Sequence, residues 1–157
     1  MTKYCLAKWD ANKDKLRKRF EEGTGWNVCS YADILKAIVE SVLNNEGEQA
    51  WYDQWDSSHI TEIDDGDYQG TLLFLIPLNT YQPNESEYLI TFIDYGSCSG
   101  CDTLQGIQEW GGYEDKLTER QIDDFMSLSK DILMNMRKPF NDGWRHDERF
   151  DEVAFED

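Results

Sequence analysis

Cys98 and Cys101, three positions apart, are the side chains of this 157-residue chain whose types and spacing most directly suggest chemistry. Thiols so placed can exchange with a disulfide, and the same Cys-x-x-Cys is half of a zinc knuckle. A second pair at similar spacing is absent, so Cys5, Cys29, His59 and His146 would have to complete a zinc site singly and from distant places. The run Gly96-Ser97-Cys98-Ser99-Gly100-Cys101 also lets a chain turn tightly after a strand, with the cysteines acting as small buried hydrophobes. His59 and His146 are the two imidazoles available for acid–base work, and neither lies in a known motif. No phosphate-cradling glycine loop and no Gly-x-Ser-x-Gly turn occurs. Acid pairs such as Asp64/Asp65 and Asp123/Asp124 are too common in so acidic a chain to mark a hydrolytic centre. No catalytic residue, metal site or cofactor is therefore expected, with Cys98 and Cys101 as the alternative for either chemistry.

Charge is the other anomaly. The chain carries 32 Asp and Glu against 15 Lys and Arg, a net charge of -17 and an isoelectric point near 4.3. Such a chain repels phosphate backbones and anionic lipid on average, so the expected partner is a basic protein rather than nucleic acid or membrane. Residues 1–19 hold seven bases and two acids, a local charge of +5 that leaves -22 for the remainder. Between Lys36 and Lys116, 79 residues contain no Lys or Arg but sixteen acids. Surfaces ordinarily intersperse both signs, because neighbouring like charges raise the free energy of the compact state. Glu46, Glu48, Asp53, Asp56, Glu62, Asp64, Asp65 and Asp67 are the candidate partner-binding residues, with carboxylates standing where phosphates would sit in a basic groove. A plain solubilising surface is the competing reading.

The elements that must position these groups follow from periodicity. Lys13, Lys15, Arg17, Lys18 and Arg19 surround an inward i,i+4 pair, Leu16 and Phe20, in a helix for which Asp10 is the expected N-cap. Tyr4-Cys5 could instead start a strand pairing near Cys29. Ser30 with Asp33 caps a helix over residues 31–44, whose stripe is Ile34, Leu35, Ile38, Val42 and Leu43. Residues 48–55 add a turn or two of helix with Trp51 and Trp55 roofing the core. Three extended runs, 59–63, 68–78 and 87–95, read as an antiparallel meander, its first turn made by Asp64-Asp65-Gly66-Asp67. That cluster lacks the alternating acids and the twelfth-position Glu of a calcium loop. The nearly continuous apolar run 72–78 predicts a central strand covered on both faces. Thr118-Glu119-Arg120-Gln121 is a capping box opening a long helix, with Ile122, Phe125, Met126, Ile132, Leu133 and Met136 on one face. Asn141-Asp142-Gly143 then turns the chain into an acidic tail, residues 140–157.

The order of strand 88–95, glycine turn, Cys98-Ser99-Gly100-Cys101 and a short helix over 102–110 resembles the active-site segment of the thioredoxin family. That resemblance implies Cys98 as nucleophile at a helix N-terminus and Cys101 as resolving thiol. The aromatic residue that precedes the first cysteine in that family is absent here. The run Asp94-Tyr95-Gly96-Ser97-Cys98-Ser99-Gly100-Cys101-Asp102-Thr103-Leu104-Gln105 also resembles a segment of small uncharacterised bacteriophage proteins. This implies a virus-encoded accessory protein of the bacterial cytosol, where inhibitors of host enzymes and of DNA-targeting defences are frequent.

The sequence thus predicts one α+β domain spanning residues 1–157, a three-stranded antiparallel sheet over about 59–95 packed against helices 31–44 and 118–137. No apolar run reaches the length that crosses a bilayer, and residues 1–8 lack a secretory signal, so the expected location is cytoplasmic with reduced cysteines. The expected function is non-enzymatic: an acidic, phage-type protein seated on the nucleic-acid-binding surface of a basic host protein, as a DNA mimic or counter-defence inhibitor. A thiol oxidoreductase using Cys98/Cys101 and a component of a larger assembly are the alternatives. No oligomeric state is assigned.

Overall fold

The computed structural model describes residues 1–44, 54–108 and 113–138. Its first element, helix α1, spans Thr2–Glu22 and buries Tyr4, Cys5, Trp9, Asn12, Leu16 and Phe20 along one stripe. Asp10 is therefore an interior helical residue rather than an N-cap, and Tyr4-Cys5 is helical rather than a strand. Three- and four-residue spacing from Cys5 to Phe20 explains why: one apolar seam runs through both the cationic half and the segment before it. Gly25 follows with φ of 88°, in the left-handed region that a side chain would disfavour, and its N–H donates to the Tyr113 carbonyl at 2.7 Å.

Helix α2, Tyr31–Ile38, opens on a reciprocal cap. The Asp33 N–H donates to Ser30 Oγ at 3.4 Å and the Ser30 N–H to Asp33 Oδ2 at 2.9 Å. It continues as a widened π-type turn over Val39–Leu43, where the Asn44 N–H reaches back to the Val39 carbonyl at 2.9 Å. Buried Asn12 of α1 donates Nδ2–H to the Val42 carbonyl there at 2.9 Å, satisfying a group that the widened turn leaves to a side chain.

Strands β1 (Thr61–Asp64), β2 (Gly70–Pro77) and β3 (Tyr88–Tyr95) form an antiparallel sheet in that order. Leu72, Phe74 and Ile76 pair with Ile93, Thr91 and Leu89, and all six are buried. Leu73 and Leu75 on the opposite face are half-buried, and their neighbours Ile63 and Phe92 are each 47% exposed. The central strand is thus fully buried on one face only, against the expectation of two covered faces. Its apolar run alternates in burial because pleating sends successive side chains to opposite sides.

Helix α3 is short, Thr103–Ile107, and α4, Glu119–Met134, opens with the Thr118/Gln121 capping box. α4 packs against α1, α2 and β3. Buried Thr91 of β3 donates Oγ1–H to the Ile132 carbonyl at 3.0 Å, tying sheet to helix. Phe20, Trp26 and Phe125 meet where α1 and α4 face each other, the Phe20 ring 4.8 Å from Trp26 and 5.2 Å from Phe125. The expected α+β architecture is what forms: one three-stranded antiparallel sheet packed against helices. Trp55 is buried but pairs with Leu78 as an isolated β-bridge, so the expected helix over 48–55 does not extend to it. Trp51, His146 and the expected tail lie outside the described residues. Among the described residues, no helix is long and apolar enough to cross a membrane.

Candidate functional site

Antiparallel pairing brings the start of β2 beside the end of β3, so the turn after β1 and the turn after β3 fall at the same end of the sheet. The first turn supplies acids. Asp64 Oδ1 accepts from the Gly66 N–H at 3.0 Å, and Asp65 Oδ1 accepts from the Thr71 N–H at 2.6 Å, closing the link between β1 and β2. Across the sheet Asp94 accepts from Thr71 Oγ1 at 2.8 Å, and the Tyr95 hydroxyl donates to Asp64 Oδ1 at 2.6 Å. That hydrogen bond, with the Gly66 N–H, holds the Asp64 carboxyl below the usual carboxylate range. It also pushes the Tyr95 phenol up to about 12, with Asp65 and Asp67 adding to the effect because their charges lie close by.

The second turn supplies the thiols. Asp102, only 5% exposed, caps α3 by accepting from the Gln105 N–H at 2.8 Å with Oδ2. Its Oδ1 accepts from the Gly96 N–H at 3.1 Å and from the Tyr31 hydroxyl at 3.0 Å. Three donors thus satisfy a buried carboxylate. Tyr31 in turn accepts from the Leu104 N–H at 3.1 Å, and burial pushes its phenol up to about 12. Between these anchors the Cys101 and Asp102 N–H groups donate to the Cys98 carbonyl at 3.1 and 2.9 Å, folding the chain so that the two sulfurs sit 2.6 Å apart on the surface. Gly96 permits this close approach, since a Cβ there would lie 2.5 Å from the Cys101 carbonyl oxygen and 2.8 Å from its sulfur. Hydrogen bonding from Cys98 holds the Cys101 thiol below its ordinary value.

Between the two turns lies a cleft of about 350 Å³, lined by residues including Tyr31, Glu62, Asp64, Tyr95, Gln105 and Gln108. Cys29 also reaches it, but burial and the nearby Asp33 push that thiol up to about 12.

Of the eight acids expected to bind a partner, Asp64, Asp65 and Asp67 gather at this end of the sheet and Asp94 joins them, while Glu62, opposite Phe74 midway along β2, lines the cleft beside Asp64. Asp56 does neither. It sits beside Pro77 at the far end of β2, about 23 Å away at the usual rise per strand residue. Burial raises its pKa, but hydrogen bonds from Ser58 and His59 outweigh this and hold it low. Glu46, Glu48 and Asp53 lie outside the described residues. Two of the N-terminal cations act elsewhere: Arg17 pairs with Asp123 at 2.8 Å and Arg19 with Glu40 at 3.2 Å. None of these five acids forms an ion pair with a described residue.

The helix after the cysteines differs from the thioredoxin-type arrangement. It is five residues long, its N-terminus is occupied by the Asp102 carboxylate, and the Cys98 N–H is turned toward the Cys101 sulfur. Among the described residues, no group of three or more His, Cys, Asp or Glu is arranged to hold a metal ion. Asp94, Tyr95, Tyr31 and Asp102 are not among the site residues that the sequence suggests. Only Asp102 left a local trace there, an Asp three residues ahead of Gln105 at a helix start. No family model, curated protein or solved structure compared with the chain matches it.

Proposed function

We propose that the protein is a non-enzymatic acidic binder whose carboxylate-rich sheet end occupies a basic, nucleic-acid-binding groove on a partner protein in a bacterial cytosol. The observation that carries this reading is the charge imbalance there. Asp64, Asp65, Asp67 and Asp94 share one end of the sheet, with Glu62 beside Asp64 on the adjoining cleft, without an ion-paired cation from the described residues, while Arg17 and Arg19 are engaged with Asp123 and Glu40. Repulsion among such groups destabilises the fold, and a cationic partner surface relieves it. The phage-type setting, with inhibition of a host or defence protein as the outcome, rests on the short resemblance over residues 94–105. The oxidoreductase alternative draws on the closeness of the two sulfurs, but a thiol aimed from a long helix N-terminus is not part of its support.

Capture of partners from bacterial lysate at low and high ionic strength tests the reading. The Debye length falls from about 10 Å at 0.1 M to about 3 Å at 1 M, so capture should drop steeply with salt. Glu62→Gln with Asp67→Asn is the companion variant, because neither side chain makes a hydrogen bond that shapes the turn, unlike Asp64 and Asp65. It should slow association and flatten the salt dependence. Capture that ignores both salt and variant would remove the proposal.

A further inference from the structure

We infer that Cys98 and Cys101 form a reversible dithiol–disulfide site, oxidised by small-molecule disulfides, in which Cys101 is the attacking sulfur and Cys98 the resolving one. This goes beyond the binding reading and does not depend on it. Two features of the turn carry it. The sulfurs lie 2.6 Å apart, so closing a covalent S–S bond of about 2.0 Å asks each to move only a few tenths of an ångström. The turn is already ordered by the two N–H donors on the Cys98 carbonyl, by Asp102 bridging Gly96 and Gln105, and by the missing Cβ at Gly96. Little conformational entropy is therefore left to lose on oxidation.

The order of attack follows from the hydrogen bonds. The Cys98 N–H donates to Cys101 Sγ at 3.0 Å, so negative charge on that sulfur faces a backbone donor as well as the neighbouring thiol. Both cysteines are exposed to a reagent, whereas Cys5 is fully buried and Cys29 is partly buried with its thiol pushed up to about 12. Reaction is thereby confined to one of the possible pairs.

The chemistry balances with glutathione disulfide as oxidant. Cys101 loses its proton to solvent, and its thiolate attacks one glutathione sulfur. The glutathione S–S bond breaks, a glutathione thiolate leaves, and a mixed disulfide remains on Cys101. Cys98 then gives up its proton and attacks Cys101 Sγ, expelling the second glutathione thiolate. Two electrons pass from the cysteine pair to the glutathione disulfide, and the two shed protons end on the two released thiolates.

The test is incubation of the full-length protein with glutathione disulfide, followed by acid quench, alkylation and peptide mass spectrometry. The expected product is a 98–101 disulfide, lighter by two hydrogens, with no lasting glutathione adduct and full reversal by dithiothreitol. In Cys98→Ser the adduct should persist on Cys101. In Cys101→Ser, Cys98 should acquire its adduct about tenfold more slowly, because it lacks the donor that Cys101 has. Circular dichroism of both near-isosteric variants checks that the fold is retained. A wild-type protein that keeps a stable glutathione adduct, or stays reduced while a free thiol peptide is oxidised, overturns the site. Equal or inverted rates in the two serine variants overturn the assigned order.

Discussion

Replacing Asp102 by alanine removes three interactions at once from a place that solvent hardly reaches. The side chain is 5% exposed and receives the Gln105 N–H, the Gly96 N–H and the Tyr31 hydroxyl at 2.8, 3.1 and 3.0 Å. Loss of a helix N-cap costs about 1 kcal/mol. Each buried donor left without a partner costs about 1–3 kcal/mol. Water entering from the adjoining cleft can serve one of the freed donors, which brings the expected destabilisation to about 3 kcal/mol. With a urea m-value of about 1–3 kcal/mol/M for a chain of this size, the unfolding midpoint should fall by roughly 1.5 M. Asp102→Asn is the discriminating companion. An asparagine can keep its one carbonyl oxygen on the Gly96 N–H and the Tyr31 hydroxyl and lose only the cap to Gln105, so it should cost about 1 kcal/mol. Urea melts followed by tryptophan fluorescence measure both. A midpoint shift below about 0.5 M for Asp102→Ala, or an asparagine variant as damaging as the alanine one, would show that Asp102 does not hold this turn through its three donors.

Two further outcomes are expected elsewhere in the fold. Tyr95→Phe removes the hydroxyl that holds Asp64 low, so the Asp64 carboxyl should titrate closer to the ordinary range in an NMR pH series. Because the folded-state pKa of Asp64 is depressed, its contribution to stability is present above the unfolded value of about 3.9 and disappears as pH falls through the folded one. The stability gap between wild type and variant should therefore close in acid, and a gap independent of pH would contradict the assignment. Asn12→Ala strands the Val42 carbonyl in the widened turn after α2 and should cost about 1–3 kcal/mol in a urea melt; a change within about 0.5 kcal/mol would show that solvent satisfies that carbonyl instead.

Some of this architecture was legible residue by residue because the determinants are local. Ser30/Asp33 and Thr118/Gln121 set helix starts through hydrogen bonds spanning three residues, and both caps form as the spacing implied. The turn Asp64-Asp65-Gly66-Asp67 joins the first two strands because short carboxylate side chains bond to backbone within a few positions. The start of α1 was not legible in the same way. Met1 makes no side-chain cap hydrogen bond, and the seam from Cys5 to Phe20 includes a polar Asn12 whose burial depends on a carbonyl thirty positions away.

What the amino-acid order determined alone was the charge imbalance, the cysteine spacing and the local caps and turns, since these are properties of neighbours along the chain. Tertiary structure decided which groups meet. It placed Asp64 against Tyr95, Asp102 against Tyr31, and Asp56 at the opposite end of β2, because sheet register and helix packing bring together residues tens of positions apart. The packing of Asp102 against Tyr31 and Gly96 also fixes the turn in which the Cys98 thiol and the Cys98 N–H face Cys101 Sγ, which holds that thiol below its ordinary value.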